Sequence, residues 1–246
     1  MHLRRAKLVL AIIAVTAVLA ACGTSNASTA PGGSGAAAQG TPGAATTPAP
    51  GATIGDVGGA ASSLSHLSSY KITMSGSGTT SAFNVEFVKI NGATPATSFT
   101  ETSGSVVVFR VIEIGPDNWV DSGTGTFAKN SMPSATIDGM MGAFDPGTIF
   151  GNASKSDDLN ALENKGVESK NGVQAIHLHG DQNTQVPAGA SPIPAGATID
   201  LWVATDGGYL VALEVVGMAS PGGGLSNFTI EVSNINDASL TITPPS

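Results

Sequence analysis

The chain has 246 residues, of which 18 are acidic and 10 basic, so its formal net charge is −8 at neutral pH. Its few basic residues form no cluster that could neutralise a phosphate backbone or hold an anionic lipid surface, and this excludes a nucleic-acid-binding protein. Cys22 is the single cysteine, so a disulfide within the chain is excluded as well.

The start of the chain has the pattern of a secretory signal. Arg4, Arg5 and Lys7 precede an apolar stretch over residues 8–21. A basic region, an apolar region of about 7–15 residues and small residues before the cut are typical of a cleavable signal. The stretch is shorter than the roughly 20 apolar residues of a membrane-spanning helix. The sequence therefore predicts a signal peptide over residues 1–21.

Cys22 directly follows this segment, within Leu-Ala-Ala-Cys-Gly. The motif resembles the bacterial lipobox, which implies diacylglycerol on the Cys22 thiol and cleavage before it. Two or more acyl chains anchor a protein stably. We therefore expect a protein anchored by lipid to the extracytoplasmic face of the cell membrane. The alternative interpretation is an ordinary signal followed by a free cysteine.

Residues 23–55 contain no charged residue and consist almost wholly of Gly, Ala, Ser, Thr and Pro. Such a segment buries too little apolar surface to offset its ordering entropy. As a random coil it would span roughly 30 Å. We predict a lipidated cysteine and flexible tether over residues 22–56, followed by one folded domain over residues 57–246.

Most of this domain is predicted to form strands, because apolar and polar residues alternate along it. The predicted strands cover residues 70–74, 83–87, 106–112, 176–179 and 228–232. Residues 199–205 and 209–216 flank Asp206-Gly207-Gly208, a turn sequence that favours a hairpin.

The middle of the domain has a different pattern. Residues 134–150 are rich in Met and Phe and predict a helical segment, and 159–164 follow two aspartates that suit a helix start. Residues 57–67 suggest a weak helix. Strands interrupted by helices predict an α+β fold built on an antiparallel meander.

The order of these elements resembles the LppX/LprG-type lipoproteins of the LolA-like superfamily. The likeness covers residues 57–246 and rests on the order of six segments. These are Leu64 to Tyr70 before the first strand, a central Val-rich strand, Ile114-Gly115-Pro116-Asp117-Asn118-Trp119-Val120, Leu159 to Gly166, Asn171 to Leu178, and Ile199 to Ala204 with its Asp-Gly-Gly turn.

The resemblance implies a strongly curved antiparallel half-barrel sheet, with short helices on its concave face and an apolar cavity for acyl chains between them. The cavity wall would include Met74, Phe87 and Val108 from the strands, and Met140, Met141, Phe144 and Phe150 from the helical segment. For the last four residues, packing in the core is the alternative, because apolar helix faces commonly just pack.

Two histidines raise the question of a metal site. His177 and His179 share one face of a predicted strand. A metal needs three or four ligands, and only Asp181 lies close in sequence as a third. A solvated strand face is the favoured interpretation, so we predict no metal and no cofactor.

The leading hypothesis is a non-catalytic envelope lipoprotein that binds and carries a lipid or another apolar ligand. The chain has no Gly-x-Ser-x-Gly elbow near a histidine, so an enzyme is not expected. The alternative is a structural, interaction or sensory lipoprotein of the same fold without a ligand cavity. The expected partners are an acyl-chain ligand, the membrane through Cys22, and an envelope protein.

Overall fold

The computed structural model describes residues 60, 63–78, 82–142, 161–185, 192–217 and 225–246, without the side chains of residues 134, 140, 142 and 225. In these ranges the chain forms eleven strands, one 3-10 turn (Ser63–His66) and one α-helix, α1 (Ser134–Gly142). The strands are β1 (Ser69–Gly78), β2 (Ala82–Ile90), β3 (Ala96–Ser103), β4 (Val106–Ile114), β5 (Asp117–Asp121), β6 (Ala128–Lys129), β7 (Glu163–Lys170), β8 (Val173–Gly180), β9 (Thr198–Ala204), β10 (Leu210–Val216) and β11 (Leu225–Ser233).

All eleven strands belong to one antiparallel sheet, in the order β6-β5-β4-β3-β2-β1-β11-β10-β9-β8-β7. Strands that follow each other in sequence are neighbours, with one exception between β6 and β7. These two strands form the opposite edges of the sheet, while β1 and β11 pair at its centre. The chain between Lys129 and Glu163 must therefore run from one edge to the other, and α1 lies within it.

The predicted strands are confirmed, and each extends a little beyond its apolar core. The predicted hairpin is confirmed as β9 and β10, in which Leu213 lies opposite Leu201. Its turn uses two left-handed glycines, Gly207 with φ of 80° and Gly208 with φ of 61°. Glycine adopts this conformation without the steric cost that other residues incur.

Alternation along the strands divides the sheet into two faces, and we call the face that carries the main core the inner face. At its centre one apolar row crosses neighbouring strands in exact register. The row consists of Val232, Ile72, Phe87, Phe99, Val111 and Val120. All six are buried, and each such side chain stabilises the fold by about 1.5–3 kcal/mol.

The two ends of the sheet differ. At one end, which we call the base, the chain before β1 is tied to the chain after β11. Asn236 accepts a hydrogen bond from the Ser68 amide at 2.8 Å, and its own amide donates to the Ser69 carbonyl at 2.8 Å. The opposite end, which we call the rim, is where β1 ends at Gly78 and β4 begins at Val106.

The α+β prediction, with helices over the concave face of a half-barrel, is wrong. The described residues form one open, almost entirely β structure, to which α1 contributes Ile137 and Met141 as buried core residues. The predicted helix over 159–164 is also wrong in its described part, because residues 161–162 form a turn and β7 begins at Glu163. Within the predicted weak helix over 57–67, the structure describes residues 60 and 63–67. Residue 60 is helical, and Ser63–His66 form the 3-10 turn.

The error at β7 has a physical reason. This strand contains one apolar residue, Val167, and is largely exposed at the sheet edge, so it has no hydrophobic period. Its conformation is imposed by pairing with β8 across the Asn171-Gly172 turn, both of whose residues have positive φ. Residues 143–158 of the predicted helical region lie outside the described residues.

The central apolar row makes a direct prediction about stability. Ile72 is fully buried on the inner face, so Ile72→Ala should lower the free energy of unfolding by about 2–5 kcal/mol, measured by urea denaturation. The control is Thr73→Ala, on the opposite face of the same strand, which should cost less than about 1 kcal/mol. Equal losses in the two variants would contradict this assignment of the faces.

Candidate functional site

The inner face carries a patch of partly exposed apolar side chains toward the rim. We call it the rim patch: Phe83, Phe109, Ile199, Val215 and Phe228, all packed against the core without full burial. Phe83 and Phe228 both lie opposite Gly76, and their ring centroids are 6.4 Å apart. Val215 lies opposite both Phe228 and Ile199, which extends the patch across β10 into β9.

One further apolar side chain extends the exposed surface at this end. Val106 is 64% exposed and lies where β4 begins at the rim. Val216, which is 48% exposed, follows Val215 of the rim patch and therefore points to the outer face. Apolar side chains that remain exposed beside a core are typical of ligand and partner surfaces when they cluster. The rim end of the inner face is therefore the candidate binding surface.

One carboxylate interrupts this apolar surface. Glu101 lies opposite Val85 on β2 and Phe109 on β4, and it follows the buried Phe99 by two residues. These neighbours place Glu101 on the inner face, next to the rim patch. Burial raises the pKa of its carboxyl group above the ordinary value.

A second set of polar groups lies nearer the base. Tyr70, Lys89, Thr97, Glu113 and Asn118 form one row across β1 to β5, in direct register. The Lys89 ammonium donates to Thr97 Oγ1 at 3.2 Å. These groups share the inner face with the apolar row above them.

Within this base row, Glu113 faces α1. Burial raises the pKa of Glu113, the negative charge of Asp138 on α1 raises it further, and Lys89 partly offsets both. Asn118 Nδ2 donates to the Met132 carbonyl at 3.3 Å, whereas Asn118 Oδ1 is buried and has no hydrogen-bond partner among the described residues. The base row thus holds the chain that leads into α1 against the sheet.

The outer face carries the predicted histidines in a packed cluster. His177 stacks on Trp202 with ring centroids 4.5 Å apart and an angle of 16° between the planes. One oxygen of Asp200, Oδ1, lies 2.8 Å from His177 Nε2 and 2.7 Å from His179 Nδ1. The Trp202 indole donates to Glu168, and Lys170 Nζ lies 4.1 Å from the Trp202 ring centroid. We call these six residues the outer cluster.

The outer cluster differs from the metal arrangement considered from the sequence. The group placed between the two histidines is Asp200, which lies opposite His179 on the neighbouring strand. Asp181 instead accepts a hydrogen bond from the Asn183 amide at 2.8 Å in a local turn. In the ranges described, no group of three or more His, Cys, Asp or Glu side chains is arranged to hold a metal ion. Three side chains of the outer cluster, those of His177, Glu168 and Lys170, contact Trp202.

The residues proposed for the cavity wall have varied positions. Met74, Phe87 and Met141 are buried in the core on or against the inner face. Val108 is the extra residue of a bulge in β4, since Phe109 pairs with Glu101 and Val107 with Thr102. The Met140 side chain, Phe144, Phe150 and the lipidation site Cys22 lie outside the described residues. Whether any of the seven contacts a ligand stays a prediction.

Sequence reasoning missed Glu101 and Glu113 as features of the inner face. A signal for Glu101 existed, because it stands two residues after Phe99 and shares its face if the segment is a strand. The segment was not recognised because β3 contains only two apolar residues, Ala96 and Phe99, among polar neighbours.

Comparisons with known proteins give only distant likenesses. No family model matches the sequence, and no curated protein matches it either. The structure is similar to that of MucB in complex with MucA(peri), with a TM-score of 0.34 and 10% identity over 70% of this chain and 53% of that one. The chain thus spans about half the length of the MucB chain.

Two further solved structures are similar over most of their own length. One is a DUF1329 family protein from Desulfovibrio piger, with a TM-score of 0.25 and 13% identity over 76% of this chain and 95% of that one. The other is a LolA superfamily protein from Nitrosomonas europaea, with a TM-score of 0.22 and 10% identity over 75% of this chain and 94% of that one. The resemblance to LppX/LprG-type lipoproteins of the LolA-like superfamily stays a prediction.

Across the described part of the chain, no helix combines the length and apolar character needed to cross a bilayer.

The outer cluster makes a prediction about His177. Replacing it with alanine removes a ring stack worth about 0.5–1.5 kcal/mol and a hydrogen bond worth about 1 kcal/mol, so the free energy of unfolding should fall by about 1–2 kcal/mol. Denaturant unfolding followed by tryptophan fluorescence measures it, with His66→Ala, at an exposed position, as the control. A zinc-dependent rise in melting temperature that His177→Ala abolishes would instead indicate a metal site.

A buried ion pair makes a prediction about acid stability. Hydrogen bonds from Arg110 are the main reason that the pKa of Asp121 falls from 3.8 to about 2. Because the folded pKa lies below the unfolded one, this stabilisation is present above about pH 4 and is lost as the pH falls toward 2. Asp121→Asn should therefore lower the free energy of unfolding at pH 7. It should also make that free energy fall less steeply between pH 4 and 2.

Acid titration of unfolding by circular dichroism checks this prediction. Asp117→Asn is the control, because Asp117 pairs with Lys129 at the exposed surface and such pairs contribute little. If Asp117→Asn flattened the acid transition as much as Asp121→Asn, the role assigned to Asp121 would be wrong.

Proposed function

We propose that this protein is a non-catalytic lipoprotein of the bacterial envelope that binds an acyl chain against the rim patch. The observation that carries the proposal is the set of large apolar side chains that stay partly exposed on the inner face, from Phe109 on β4 to Ile199 on β9. Acylated Cys22 would hold the protein at the extracytoplasmic face of the membrane, where its ligand is dissolved.

The chemistry of the patch suits an acyl chain. Its side chains are apolar and lie next to a continuous buried core, so a chain laid on them would exchange water for hydrocarbon contacts. Each buried methylene contributes about 0.8 kcal/mol, so ten methylenes would contribute about 8 kcal/mol before the cost of immobilising the ligand. Because the cost of immobilising the ligand offsets part of the free energy gained by burying methylenes, binding would be reversible, as a carrier requires.

The outer cluster lacks one part of a hydrolase triad among the described residues. Asp200 holds both histidines, as the aspartate of a triad would, and Trp202 covers the His177 ring. A serine nucleophile needs a histidine that can take its proton. Neither histidine makes a hydrogen bond to a serine or threonine in the described residues, so the cluster supplies no activated hydroxyl.

Native mass spectrometry tests the proposal. The chain from residue 22 onward, with Cys22→Ser to prevent acylation, is secreted into a bacterial periplasm behind an ordinary signal and then analysed before and after solvent extraction. We expect an added mass that extracts as an acyl lipid. A mass equal to the bare chain, together with no uptake of a fluorescent fatty acid, would contradict binding and favour an interaction protein.

A matched pair of variants locates the binding surface. Phe228→Ala removes a ring of the rim patch and should weaken binding of the fluorescent fatty acid by about tenfold. Thr229→Ala, the next residue on the opposite face, should leave the affinity unchanged. Equal affinities for all three proteins would place the acyl chain elsewhere.

A further inference from the structure

We infer that Glu101 binds the polar head of the ligand and selects amphiphiles that carry a primary ammonium group. This inference rests on the proposed function, because it concerns the same surface. It goes further by stating the class of ligand.

The position of Glu101 is the first argument. The side chains directly opposite it, Val85 and Phe109, are apolar, and Phe109 belongs to the rim patch. A ligand lying on the rim patch would therefore bring its polar end within reach of a single carboxylate. The ladder between β3 and β4 shifts register immediately after Glu101, at Thr102. Such bulges redirect side chains and are frequent next to functional sites.

The second argument is that no residue in the described ranges hydrogen-bonds to the Glu101 carboxylate or forms an ion pair with it. Among the described residues of the inner face, the basic side chain is Lys89, which already donates to Thr97. Thr97 precedes Glu101 by four residues on the same strand, a distance of about 13 Å. Arg110, although next to Phe109, points to the other face and binds Asp121 at 2.6 Å.

An unpaired carboxylate on an apolar surface is costly, and pairing with a cation offsets that cost. Partial burial raises the pKa of the Glu101 carboxyl group, because the charged form is less well solvated beside apolar side chains than in water. An ammonium group would supply both the opposite charge and hydrogen-bond donors. An anionic head group would instead add a second negative charge to a face that already carries Glu101 and Glu113.

The test compares three ligands with one chain length. A 12-carbon amine, a 12-carbon alcohol and a 12-carbon carboxylate, each below its micelle concentration, displace a fluorescent fatty alcohol, whose head group is uncharged, from the chain of residues 22–246 with Cys22→Ser. The variants are Glu101→Gln and, as the matched control, Glu86→Gln. Glu86 lies on the outer face of the neighbouring strand, and both changes remove one negative charge. The general attraction of cations to this acidic protein is therefore reduced equally in the two variants.

We expect the wild-type chain to bind the amine about tenfold more tightly than the alcohol, and the carboxylate most weakly. Glu101→Gln should bring the amine and the alcohol to equal affinity with the alcohol unchanged, whereas Glu86→Gln should keep the preference. An amine preference that survives Glu101→Gln, or its absence from the wild-type chain, would overturn the inference and leave acyl-chain binding intact. If the probe itself does not bind, the proposed function fails, and the inference fails with it.

Discussion

The pairing of β1 with β11 is the contact on which the rest of the structure depends. These strands lie far apart in sequence, and eight residues of β1, from Lys71 to Gly78, pair with β11, with one register shift between Ser77 and Gly78. The pairing joins the meander of β1 to β6 to the meander of β7 to β11, so that one sheet results. It also makes β6 and β7 the edges, although they follow each other in the chain.

This arrangement determines how the inner face is covered. Since the chain between β6 and β7 must run from one edge to the other, its residues are available to pack against the sheet. In the described part, α1 does so through Ile137 and Met141. Near the base the covering is reinforced by polar contacts such as Asn118 to Met132, whereas toward the rim large apolar side chains stay partly exposed. The site therefore lies at one end of the face.

Polar side chains on the two faces of the sheet have different surroundings, and this difference distinguishes residues that stabilise the fold from the residue proposed to bind a ligand. On the outer face the charged and aromatic groups satisfy one another, as Asp200 does for both histidines and Lys170 does for Trp202 and Glu214. Such a network stabilises the strands that carry it. On the inner face no described residue pairs with the Glu101 carboxylate, and partial burial of a charge beside apolar side chains lowers stability. A position that costs stability in this way is a candidate for ligand recognition.

The sequence by itself determined the elements whose stabilising contacts are local. Alternation predicted β1, β2, β4, β8 and β11, and the Asp-Gly-Gly turn predicted the β9–β10 hairpin, because side-chain period and turn conformation depend on neighbouring residues. It also predicted the signal, Cys22 and the tether, which are features of short motifs and composition. The antiparallel meander and the apolar character of the inner face follow from the same pattern.

Only the tertiary structure decided the rest. The strand conformation of β7 comes from its partner β8, and the separation of β6 from β7 comes from the pairing of β1 with β11. The position of Glu101 beside Phe109, and of Asp200 between two histidines, depends on the register between strands. Register is set by contacts between residues distant in the chain, and a local pattern carries no information about which residue will lie opposite. That is why the candidate site became visible only once the strands were paired.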